Sequence, residues 1–232
     1  IKDGNSFISM KELDFGVMKC KNELISIGIK ENMHIGVQVG RHLSFTTIFL
    51  CGILLDVIII PIYTHIGETK LQNLVKEFDI NYLFSDHNDF DHLVGGVDVF
   101  DTEIYCYKEM EHIQRLEEDV ALIMQTSGTT SNSKGVMLSL ENIYSNICGI
   151  SEYLNLISTD RILIIKNTNH ISTIVGEILL ALYTKTSMTC ISDSYQITHV
   201  TSILNKEEIS VFFAVPEYSF AVKPPFRKIG NR

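Results

Sequence analysis

A chain of 232 residues, 45% apolar and 20% charged, has the make-up of a globular protein able to bury a sizeable core. Its formal net charge of -9 repels phosphate backbones and anionic lipid, so a nucleic-acid or membrane-surface partner would need a local basic patch that is not evident, and small-molecule chemistry fits better. Five widely spaced cysteines (Cys20, Cys51, Cys106, Cys148, Cys190) without a CxxC pair suggest neither a disulfide framework nor a zinc site, and point to a reducing, cytoplasmic setting. The chain starts at Ile1 with no charged-then-apolar leader, which suggests that it begins partway into a longer protein.

Leu13, Val17, Cys20, Leu24 and Ile27 recur at helical spacing, and Gly28 follows where a left-handed cap belongs, so residues 10–27 are predicted to be a helix. A strand over 34–39, an apolar helix over 43–55 and a β-branched strand over 57–60 closed by Pro61 then give a β-α-β order. Residues 45–66 are almost wholly apolar over about the 20 residues a bilayer requires. Asp56 and Pro61 divide them into a buried helix and a buried parallel strand, and no membrane span is expected.

Leu71, Leu74, Val75 and Phe78 mark the next helix, and residues 80–84 a strand. Beyond an acidic stretch around residues 109–119, a strand over 120–124 leads into a loop of Thr, Ser and Gly. Ile143, Ile147, Ile150 and Leu154 mark a further helix, residues 162–165 a strand, 171–183 a helix and 211–215 a last strand. This alternation predicts an α/β fold, a mostly parallel sheet with helices on both faces. No repeat or linker interrupts it, so one domain is expected over residues 1–222. Residues 223–232 are basic, carry two prolines and lack periodicity, as an extended or disordered tail does.

Residues 126–134 read Thr-Ser-Gly-Thr-Thr-Ser-Asn-Ser-Lys. Gly128 lets backbone approach a ligand, the hydroxyls of Thr126, Ser127, Thr129 and Thr130 can reach phosphate oxygens, and Lys134 supplies a point cation. These are the parts needed to hold a triphosphate. The spacing is not G-x-x-x-x-G-K-[ST], because Ser133 precedes Lys134 and Gly135 follows it, so a P-loop kinase or GTPase is disfavoured. A polar surface turn is the plain alternative, and the order of nine residues argues against it.

The segment 122–142, LIMQTSGTTSNSKGVMLSLEN, closely resembles the signature of the adenylate-forming ligases, a family of acyl- and aryl-CoA ligases, luciferases and peptide-synthetase adenylation domains. That signature is usually written TSGTTG-x-PKG followed by a Ser/Thr-His-x-Asn turn. Lys134, Gly135, Ser139 and Asn142 match, whereas Ser131 stands for Gly, Ser133 for Pro and Leu140 for His. Residues 10–13, 28–33 and 58–61 resemble the family's opening helix, its exit turn and its strand ending in Pro, with Asp56 where Gly is usual. Asn167-Thr168-Asn169-His170 resembles the family's substrate-side motif, and Phe213-Ala214-Val215-Pro216 the strand before its pocket helix.

The resemblance implies the incomplete N-terminal domain of that fold, ATP and Mg2+ as cofactors, a small-molecule carboxylate as substrate, and the thiol of CoA or a carrier protein as acceptor. At His170, amino-acid-activating relatives tend to carry Asp, so His implies a fatty or aryl acid. A helix-start histidine satisfied by backbone remains the alternative. The family's Tyr-Gly-x-Thr-Glu segment, ribose-binding Asp and C-terminal catalytic Lys are not found in these residues, so the metal ligands are expected outside this chain and no turnover by it alone. Three readings stay open: a fragment of an acid-thiol ligase or amino-acid-activating domain, a non-catalytic remnant or scaffold, and complementation by a second chain carrying the missing part.

Overall fold

The first long helix is fixed at both ends by local chemistry. β1 (Lys2–Asp3) and β2 (Ser6–Phe7) form a short antiparallel pair, and α1 (Met10–Ile27) follows. Ser9 Oγ accepts from the Glu12 amide and Glu12 Oε2 accepts from the Ser9 amide, a reciprocal box that satisfies two orphan donors. Gly28, at φ 104°, ends the helix in the left-handed conformation that glycine adopts without a Cβ clash.

The computed structural model describes residues 1–4, 6–88, 90–110, 119–126, 134–191 and 197–213. Residues 214–232, and with them the expected tail, lie outside it. The expected strand and helix alternation is present: β3 (His34–Gln38), α2 (His42–Leu54), β4 (Ile58–Pro61), α3 (Glu68–Glu77) and β5 (Tyr82–Ser85). Then come β6 (Leu93–Val99), β7 (Thr102–Lys108), β8 (Leu122–Gln125), β9 (Gly135–Leu138), α4 (Leu140–Leu154) and β10 (Arg161–Ile164). Residues 171–184 form one helical run, α5 (Ile171–Thr173), a π-helical stretch Ile174–Leu179, and α6 (Leu180–Thr184). β11 (Ser187–Cys190), α7 (Ile197–Lys206) and β12 (Val211–Phe212) complete the described chain.

Two sheets form where the sequence suggests one. The first runs β6-β7-β5-β3-β4-β8-β9, with a parallel centre and antiparallel edges. The second runs β12-β10-β11-β1-β2, parallel except for the β1/β2 pair. Alternate side chains serve opposite faces. In β4, Ile59 joins the cluster shared with α1, α2 and α4, while Ile58 and Ile60 pack with Leu71, Leu74 and Val75 of α3. In β10, Ile162 and Ile164 meet Ile178 and Ala181, while Leu163 packs with Val200 and Leu204 of α7. Helices therefore cover both faces of both sheets, with α1, α2, α4 and part of the 171–184 run in the layer between them.

The apolar run over 45–66 resolves as expected into buried α2, then Asp56, then buried β4. Among the described residues no helix is long and apolar enough to cross a membrane. The N-cap residue of α2, Arg41, makes no side-chain cap bond. The cap comes from the other sheet: the buried Asp3 carboxylate accepts from the Leu43 amide at 2.8 Å and lies 3.7 Å from Arg41 Nε. All five cysteines are free thiols.

Candidate functional site

The signature segment is flanked by two paired strands. β8 and β9 pair antiparallel from Leu122↔Leu138 to Gln125↔Gly135. Immediately beyond, the Thr126 amide donates to the Lys134 carbonyl at 2.9 Å and Thr126 Oγ1 donates to the same oxygen at 3.0 Å. The sequence suggests a strand leading through the loop to a helix; β9 lies between, carried by Gly135-Val136-Met137-Leu138. Ser127, Gly128, Thr129 and Thr130, the expected phosphate-contacting residues, lie outside the described residues. The Thr126 hydroxyl proton is engaged at the loop base, and the Lys134 side chain is exposed at the mouth.

Gly135, the residue after the lysine, packs closely against two side chains. A Cβ there would lie 2.6 Å from Phe78 Cε1 and 2.8 Å from Ile123 Cγ2, so any other residue would force one of these side chains to shift. The Ser-x-x-Asn turn that follows is the α4 N-terminus. Ser139 Oγ accepts from the Asn142 amide and Asn142 Oδ1 accepts from the Ser139 amide, each at 3.1 Å. Leu140, where the family commonly has His, occupies the exposed first helical position and takes no part in the cap.

His170 lies at the other expected subsite, as the N-cap residue of α5. Its side chain makes no cap hydrogen bond, while its carbonyl accepts from the Thr173 and Ile174 amides at 3.0 and 3.2 Å. Burial, and then the nearby Lys166 charge, lower its pKa, which favours neutral imidazole at pH 7. Upstream, the Lys166 carbonyl accepts from or meets His42 Nε2 at 2.8 Å, and Thr168 Oγ1 donates to the Val39 carbonyl, tying the exit of β10 to the start of α2.

Beside this segment a cleft of 590 Å³ opens between α4 and the 171–184 run, within the range of about 300–1,000 Å³ common for small-molecule sites. Ile143, Ile150, Leu154, Val175 and Phe213 supply its apolar wall. Its charged lining residues are Lys166 and Glu177. Lys166 Nζ stands 2.5 Å from Glu177 Oε1 and donates to Ser172 Oγ at 3.2 Å. The Lys166–Glu177 contact is a close ion pair, and besides Lys166 neither carboxylate oxygen has a hydrogen-bond partner among the described residues. Glu177 is 1% exposed, and burial raises its carboxyl to about 7 against the opposing effect of Lys166. Sequence reading passed over this pair, although a lone Glu in Ile-Val-Gly-Glu-Ile-Leu-Leu-Ala-Leu is a visible signal of a buried charge. The π-helical turn that carries Glu177 is a local widening of a kind frequent at functional sites.

Asp86 Oδ2 accepts from the Gly40 amide, and among the described residues no group of three His, Cys, Asp or Glu side chains could hold a metal ion.

Comparison with known proteins follows the same outline. A family model described as "AMP-binding enzyme" matches residues 1–220. Feruloyl-CoA synthase of Amycolatopsis sp is 21% identical over 229 residues, 93% of this chain and 45% of that protein. Long chain acyl-CoA synthetase 4 of Arabidopsis thaliana is 23% identical over 171 residues, 60% of this chain and 26% of that protein. Gramicidin S synthase 1 of Brevibacillus brevis is 23% identical over 230 residues, 95% and 21% respectively. The chain thus spans less than half the length of these relatives. In fold it is similar to o-succinylbenzoate coenzyme A synthetase of Bacillus subtilis in complex with AMP, with TM-score 0.78 and 18% identity, covering 95% of this chain and 60% of that one. Apo MatB of Rhodopseudomonas palustris gives TM-score 0.77 and 19% identity, covering 94% and 46%.

Proposed function

Because the chain belongs to the AMP-binding enzyme family, we propose that it forms part of an enzyme that activates a carboxylic acid with ATP. The product is an acyl-adenylate, and the acceptor is the thiol of CoA or a carrier protein. The observation that carries this reading is the hairpin closed by Thr126 and Lys134, which holds the ends of a Thr/Ser/Gly loop together beside an exposed ammonium. In this reading Thr126 sets the loop base, Ser127, Gly128, Thr129 and Thr130 offer hydroxyls and amides to the phosphates, and Lys134 meets their charge. Attack of the carboxylate on the α-phosphate leaves pyrophosphate, a step that needs charge neutralisation more than a side-chain nucleophile.

His170 is assigned to the substrate side, and its lowered pKa suits a neutral wall rather than a cation. Histidine in place of Asp, together with the apolar cleft nearby, supports a fatty or aryl acid over an amino acid. Catalysis by residues 1–232 alone is not expected, and the free thiols fit a cytoplasmic enzyme. Two of the features that favour a non-catalytic scaffold have structural accounts: Leu140 is outside the cap, and Asp56 lies at φ 51°, in the left-handed region that favours glycine. The test is carboxylate-dependent ATP–pyrophosphate exchange by a protein that joins this chain to the family's adenine- and ribose-binding segments. Exchange unaffected by Lys134→Ala would remove the phosphate role of that residue.

A further inference from the structure

We infer that Lys166 is an anion-binding, specificity-determining residue: the cleft takes an acid with its carboxylate on Lys166 and Ser172 and its apolar body along Ile150, Leu154, Val175 and Phe213. This rests on the reading that the chain binds a carboxylate substrate, and it names the residue that would hold it.

Charge complementarity carries the argument. Among the described residues the cleft wall is apolar apart from Asn142, Asn146, Tyr153, Ser172 and the Lys166–Glu177 pair. Within that pair the two charges are not equally placed. Both Glu177 oxygens are covered, whereas the Lys166 side chain keeps 16% exposure at the wall. An ammonium has three donors, and Glu177 and Ser172 account for two of them. The third is available to a ligand in the cleft. Glu177 lies buried beneath Lys166 and holds its ammonium at the cleft wall. Lys166 is also the charge that acts on His170, so the cleft adjoins the substrate-side motif.

Isothermal titration of residues 1–232 at neutral pH with octanoate, octan-1-ol and octylamine tests this. Octanoate should bind at least about tenfold more tightly than the alcohol, the scale of one hydrogen bond to a charged group. The double variant Lys166→Met/Glu177→Gln, which removes both charges together, should abolish that preference, and Lys166→Arg should keep it. Equal binding of acid and alcohol, a preference for the amine, or a preference that survives in the double variant would overturn the inference. Should the double variant not fold, NMR of isotopically methylated lysines in the unaltered chain decides instead. Octanoate must shift the Lys166 signal in proportion to saturation, and an unmoved signal overturns the assignment. The two readings fail separately. Selective octanoate binding without ATP–pyrophosphate exchange in the longer protein sinks adenylation and leaves the site. Exchange with an unaltered KM for the acid in the double variant sinks the site and leaves adenylation.

Discussion

The Asn32 amide donates to the Asp56 carbonyl at 2.8 Å, and both residues are left-handed, at φ 61° and 51°. Two turns, one leaving the α1 region for β3 and the other leaving α2 for β4, are thereby joined back to back. The geometry suits glycine at position 56 and admits Asp, since Asn and Asp visit this conformation more readily than other side chains. Left-handed backbone costs a non-glycine residue about 1–2 kcal/mol, and glycine costs about 0.5–1 kcal/mol in unfolded-state entropy. Asp56→Gly should therefore raise stability by about 0.5–1 kcal/mol, and Asp56→Ile should lower it by at least about 1 kcal/mol. Urea denaturation of the three proteins checks the order.

Glu177 gives the fold a pH dependence with a defined sign. Burial raises its carboxyl from 4.5 to about 7, so the folded chain holds this proton more tightly than the unfolded chain does. The stability associated with that proton is fully present below pH 4.5 and is lost as pH rises through about 7. A shift of this size corresponds to about 3 kcal/mol, and at 1% exposure solvent screening is slight. Glu177→Gln removes the titration, while Lys166 can turn toward water. Denaturant midpoints measured from acid to neutral pH should fall less in Glu177→Gln than in the unaltered chain, and parallel curves would refute the assignment.

What the sequence disclosed and what it concealed follow from where each signal arises. β3, α2, β4, α3 and β5 were legible because each is buried along its whole length or along one helical face, which writes an apolar pattern locally. β6 and β7 were not, because β6 carries Gly95 and Gly96 and exposes Leu93 and Val94, so its pattern depends on pairing with β7. The two-residue strand β1 exists through its parallel partner β11, almost the length of the chain away. That long-range pairing is also why two sheets could not be told from one. The loop at 126–134 was legible as a motif, but its closure by a hydroxyl on a carbonyl was not, and the Lys166–Glu177 pair required two elements to be brought together.

The α4 N-terminus separates residues that fold the site from those that merely decorate it. Ser139→Ala removes the hydroxyl that accepts from the Asn142 amide and should cost about 1 kcal/mol, with fraying of the helix that walls the cleft. Leu140→His, which restores the family's commoner residue at an exposed position, should stay within about 0.5 kcal/mol of the unaltered chain. Thermal melts and amide exchange across residues 140–146 measure both. A Leu140→His effect as large as that of Ser139→Ala would show that the departure at 140 bears on folding.

Thr126 and Lys134 meet through atoms that a pair of substitutions can tell apart. Lys134 contributes its carbonyl to the closure, so Lys134→Ala leaves both bonds from Thr126 in place and should leave stability within about 0.5 kcal/mol. Thr126→Val keeps the amide bond and the side-chain shape but deletes the hydroxyl donor, which should cost about 0.5–1.5 kcal/mol and loosen the loop ends. Opposite patterns are expected in the longer, complete protein. Removing the ammonium should lower the exchange rate by about a hundredfold or more, as loss of a charge-stabilising donor does. Removing the hydroxyl should act mainly on the concentration of ATP required. If Thr126→Val instead lowered the rate as far as Lys134→Ala does, with ATP affinity unchanged, the hydroxyl would have to leave the Lys134 carbonyl and act on the phosphates during the reaction.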